Sequence, residues 1–202
     1  MLKPGPALRN FFQWESQSCV EVVADLETDE KAYFLPLESV KSYFTADDKL
    51  DNILSEVFES EYPPIDSELV LRDHTAIFCI LLRIGRGSYI EHFARYEELS
   101  DRRLPFDSSN PPAGFPDDEP NLLQRFCEEQ WMYCVPIFDE YMLHKHFGRQ
   151  RLLPITSKVP YGTEGSAHKF VIKLYGPYNR LLPAGQRQQS VGCSSYATCL
   201  PR

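Results

Sequence analysis

Three groups of residues in this 202-residue chain have the types and spacing for chemistry. The first is Gly162, Gly165 and Ser166, within Tyr161-Gly162-Thr163-Glu164-Gly165-Ser166. A loop that cradles phosphate needs glycines there, because backbone N–H groups must reach the anion with no side chain in the way. The second is His144 and His146, which could present two imidazoles on one side of an extended segment. Asp139 and Glu140 are their only local co-ligands, and metal ligands usually converge from several segments, so no metal site is assigned. The third is the hydroxyls of Thr156, Ser157 and Ser166. A nucleophile needs a base and an oxyanion site, and the spacing reveals neither, so no catalytic residue and no hydrolase follow.

The glycines need elements to hold them. Residues 152–159 are rich in aliphatic and β-branched side chains, and Phe170, Ile172 and Leu174 alternate with Lys169, Val171 and Lys173, which predicts a β-hairpin. Upstream the pattern is helical. Leu50, Ile53, Leu54, Val57 and Phe58 fall at i, i+3, i+4, i+7 and i+8, behind a start resembling a capping box at Thr45 and Asp48. Ala76 to Leu82 with Ile84 leave almost no polar face, so that helix must lie inside its domain until Gly85 and Gly87 break it. A second helix, with Tyr89, Ile90, Phe93 and Tyr96 on one side, packs back on it. Leu122, Leu123, Phe126 and Trp131 mark another helix, and Pro136 forces an extended run after it. His74 and His92 lie in apolar helices and read as core or interface histidines.

Composition narrows the class. With 43% hydrophobic and 13% aromatic residues the chain can bury a core. It has no continuous apolar leader and no run of bilayer length, from which a cytoplasmic or nuclear location is expected. The six cysteines follow neither zinc nor disulfide spacing and read as isolated thiols. Residues 15–70 carry a net charge of −12 and residues 141–202 one of +8, which solvated helix faces explain without a ligand. The basic end lacks the interleaved aromatics of a nucleic-acid platform.

Ile77-Phe78-Cys79-Ile80-Leu81-Leu82-Arg83-Ile84-Gly85-Arg86, then Asp101-Arg102-Arg103-Leu104-Pro105-Phe106, Glu129-Gln130-Trp131, Val135-Pro136-Ile137-Phe138 and Leu152-Leu153-Pro154, together resemble a fungal protein-kinase-like family. The likeness spans about residues 70–182: the helical region preceding the serine/threonine kinase domain, then the first two strands of that domain. It implies that Gly162, Gly165 and Ser166 form a degenerate glycine-rich loop. Against G-x-G-x-x-G-x-V, with Gly165 in the middle, Thr163 and His168 replace glycines and Phe170 stands at the valine; taking Gly162 as the first glycine instead demands an inserted residue, so either register is degenerate. No strand lysine motif, His-Arg-Asp or Asp-Phe-Gly follows, so the resemblance implies a pseudoenzyme without ATP or magnesium as cofactors unless the rest of the kinase domain were present.

The expected fold class is therefore α+β: an irregular acidic segment at 1–39, a helical accessory region at 40–138, an extended segment and hairpin at 139–182, and a disordered tail at 183–202. Three functions remain open at this stage: a truncated protein-kinase-like protein without phosphotransferase activity, a helical partner-binding module, or the front of an intact ATP-dependent kinase shortened by gene-model error. A partner would dock on an exposed apolar hairpin face of Ile155, Phe170 and Ile172; neither nucleic acid nor membrane is expected as a partner.

Overall fold

The structure is a computed structural model that describes residues 4–26, 28, 30–139, 151–164 and 167–181. The described residues mix helices with two small sheets, and the chain divides into two compact units, Met1–Val20 with Leu35–Cys134, and Glu21–Phe34 with Val135–Arg202. Its α+β character agrees with expectation, but the division does not follow the expected boundaries. Residues 6–18 are no irregular stretch. They form helix α1 (Pro6–Ser18), because Pro6 at the first turn presets φ and Phe11 supplies a buried anchor. The expected tail at 183–202, His144, His146, Gly165 and Ser166 lie outside the described residues.

The first unit continues with α2 (Leu37–Phe44), α3 (Lys49–Phe58), α4 (Ser67–Asp73), α5 (Thr75–Arg83), the short α6 (Ile90–Phe93) and α7 (Leu122–Glu129). Thr45 starts no helix. Its hydroxyl bonds back to the Lys41 carbonyl at 3.0 Å and closes α2, after which Asp47 and Asp48 adopt left-handed φ values of 52° and 54° and turn the chain into α3. Within α3, Leu50, Ile53 and Leu54 are buried as the periodicity requires.

At the centre lies α5, whose residues Thr75 to Leu82 are all buried. Its C-terminal turn ends where Gly85 takes a φ of 71°, with Gly85 N–H bonding to the Leu82 carbonyl and Arg86 N–H to the Leu81 carbonyl. At the other end the amides of Ala76 and Ile77 each donate to the Asp101 carboxylate at 3.0 Å, so an acceptor 25 residues away satisfies the orphan donors. The same device recurs at α1, where Gly5 offers no side chain and the Glu56 carboxylate accepts from Ala7 N–H at 2.7 Å and Leu8 N–H at 3.0 Å. A methyl group on Gly5 would lie 2.4 Å from that carboxyl carbon.

Aromatic side chains fill the space between helices. Phe11 stacks on Phe44, and Phe126 stacks on Phe93 and Phe106 with centroids 5.7 and 5.3 Å apart. Gln130 and Glu15 are among the polar side chains built into this core. Gln130 is fully buried, and its amide accepts from Phe106 N–H at 2.7 Å while donating to the Phe106 carbonyl at 2.9 Å, as a neighbouring strand would. Gln130, rather than Trp131, takes the inward position because α7 tightens into a 3₁₀ turn over Gln130–Met132. Glu15, only 3% exposed, accepts from the Tyr133 hydroxyl and from Arg83, whose Nε reaches Glu129 at 2.7 Å. Burial opposes charge on Arg83, but Glu129 and Glu15 outweigh it and hold the guanidinium above its ordinary range.

Arg83→Met should destabilise the protein, since the Glu15 carboxyl would lose its cation, but by less than the about 3–5 kcal/mol of a fully buried pair because the Arg83 side chain is 32% exposed. Adding Glu15→Gln should recover a large part of this loss, and urea unfolding of the single and double variants reads both numbers. Asp101 gives a pH signature. Burial pushes its carboxyl up from an ordinary 3.8 to about 6 despite the lowering by the Ala76 and Ile77 amides. A folded-state pKa above the unfolded value means that protonation favours the fold, so stability from this group is present below about pH 4 and is lost as pH rises toward 6. The stability of wild type relative to Asp101→Asn should accordingly fall by roughly 1–3 kcal/mol between about pH 4 and about pH 7. An unchanged difference would overturn this account of the cap.

Candidate functional site at the glycine hairpin

The second unit holds two antiparallel pairs: β1 (Val20–Val23) with β2 (Lys31–Phe34), and β3 (Ile155–Glu164) with β4 (Ala167–Leu174). The hairpin read from the alternation is present. Its pairing runs from Ile155↔Leu174 through Val159↔Val171 to Glu164↔Ala167, with irregularities between Ile155 and Ser157 and between Pro160 and Gly162. Pro160 explains the second, because it has no N–H to give the ladder and is tolerated at a bulge.

One face of the hairpin is closed. Ile155, Ile172 and Leu174 are buried together, with Val23, Leu26, Phe138, Leu153, Phe170 and Leu181 packed against them. The expected docking face of Ile155, Phe170 and Ile172 is therefore not free: Ile155 is 2% and Ile172 4% exposed. Residues of β1, of the loop after it, and from both sides of the hairpin cover that face, a long-range association that alternation within one strand does not encode. Instead Val159 and Tyr161, 60% and 77% exposed, are the apolar side chains left open.

Lys158 also belongs to the closed face. Its ammonium donates to the carbonyls of Asp25 at 3.3 Å, Leu26 at 2.7 Å and Thr28, and lies 5.5 Å from the centre of the Phe170 ring. This clamp ties β3 to the loop after β1. A single lysine inside a strand pattern gives no sign of it, because its partners are backbone atoms 130 residues earlier.

Gly162 sits on β3 opposite Lys169. A methyl group at Gly162 would meet nothing within 4 Å, and its φ lies outside the left-handed region. Among the described residues, neither crowding nor backbone strain calls for glycine here. Gly87 differs: a methyl group there would press on Leu82 at 2.8 Å and Val57 at 3.0 Å. Of the three expected phosphate-loop residues, then, Gly162 is placed on the exposed strand, and Gly165 and Ser166 lie outside the described residues.

The remaining reactive groups are embedded in packing. His74 is 4% exposed, and burial lowers its pKa although backbone groups of Leu69 and Phe93 act against this. His92 Nε2 lies 2.7 Å from the Gly114 carbonyl oxygen. Burial raises the thiols of Cys79 and Cys127, the latter to about 11, which keeps them protonated and poorly nucleophilic. Among the described residues no group of three or more His, Cys, Asp or Glu side chains is placed to hold a metal ion. No helix among them is long and apolar enough to cross a membrane.

No protein-family model, curated protein or solved structure matches this chain.

Gly162→Ala should leave the protein as stable or raise stability by about 0.4–1 kcal/mol, since it restricts the unfolded chain and meets no neighbour in the fold. Gly5→Ala, by contrast, should lower the melting temperature by displacing the Glu56 cap. Thermal unfolding of both variants separates a glycine that packing requires from one that it does not.

Proposed function

We propose that this chain is a protein-kinase-like protein, with a helical accessory region followed by the first two strands of a kinase small lobe, and that as it stands it transfers no phosphoryl group. One observation carries the reading: Gly162 lies at an open point of an antiparallel hairpin, where none of the described residues requires glycine. Glycine inside a strand weakens it and commonly marks a place where a ligand or another backbone comes close. The position coincides with the loop that the ordered likeness from Ile77 to the hairpin implies. A cytoplasmic or nuclear location is part of the same proposal.

Such a hairpin supports little nucleotide affinity by itself. In a complete kinase the phosphates are also held by a lysine and metal ions, whereas the loop alone offers a few backbone N–H groups. Each charge-assisted hydrogen bond nets about 1.5–3 kcal/mol, against about 4–15 kcal/mol lost in freedom on association. ATP should bind no tighter than about 1 mM, which corresponds to about −4.1 kcal/mol. Titration calorimetry with Mg-ATP, together with a phosphoryl-transfer assay on generic protein acceptors, tests this. Saturable micromolar binding, or turnover abolished by Gly162→Val, would sink the proposal of an inactive protein. A lysine-bearing strand and His-Arg-Asp in frame further along the gene would make the chain the front of an active enzyme.

A second reading, a partner-binding module, rests on the exposure of Val159 and Tyr161. It moves the docking face from Ile155 and Ile172 to the opposite side of the hairpin.

A further inference from the structure

We draw no further inference here: the strongest candidate, the exposed apolar patch of Val159 and Tyr161 on strand β3 of the hairpin, carries nothing because nothing in the structure shows what covers it.

Discussion

The helical unit depends on the satisfaction of the buried N-terminus of α5. A helix whose residues are buried on every side cannot hand its first amides to water, and each amide left without an acceptor costs about 1–3 kcal/mol. His74 precedes α5 and makes no side-chain cap. Asp101 supplies the acceptor instead, and in doing so fixes the Asp101–Arg103 turn against the helix. The segment that follows, through Leu104 and Pro105 to Phe106, thereby reaches the Gln130 amide, and the aromatic cluster of Phe93, Phe106 and Phe126 forms around it. Burial of the apolar surface of α5 thus goes together with a polar contact that satisfies its end.

Glu56 at α1 and the Glu15, Arg83 and Tyr133 group extend the same principle. Isolated burial of a carboxylate is expensive, and a buried pair adds little net stability over apolar side chains of similar volume. What such groups do impose is geometry. Glu15 accepts from groups in two distant segments and so ties α1 to Arg83 of α5 and to Tyr133, beside the ring contacts of Phe11, Trp14 and Tyr43.

Local pattern made much of this legible. The all-apolar run of α5, its termination at Gly85, the face of α3 and the β3–β4 hairpin each follow from periodicity and glycine placement, which act over a few residues. Failures occurred where a distant partner decides. The helix at residues 6–18 was missed because its N-terminal acceptor is Glu56 and no local cap announces it. Thr45 and Asp48 looked like a helix start, yet the Thr45 hydroxyl closes the preceding helix, a choice that depends on whether the following aspartates adopt left-handed φ. Ile155 and Ile172 looked free because their cover includes Val23 and Leu26, far away in sequence. At the site itself the hairpin that carries Gly162 could be located, but the Lys158 clamp could not, since its acceptors are carbonyls that every residue possesses.

That clamp bears on what the hairpin can present. An isolated two-stranded ribbon is marginal in water and twists freely. Here Lys158 and the closed face of Ile155, Ile172 and Leu174 anchor one end, while Pro160 interrupts the ladder just before Gly162. The open strand beyond the bulge is carried on this anchored end with no side chain at Gly162. Side chains normally guard the backbone of an exposed strand against unwanted approach. A strand that omits one, where neither the φ nor the described neighbours demand it, leaves its backbone uncovered at that point although Gly162 stays paired with Lys169 in the ladder.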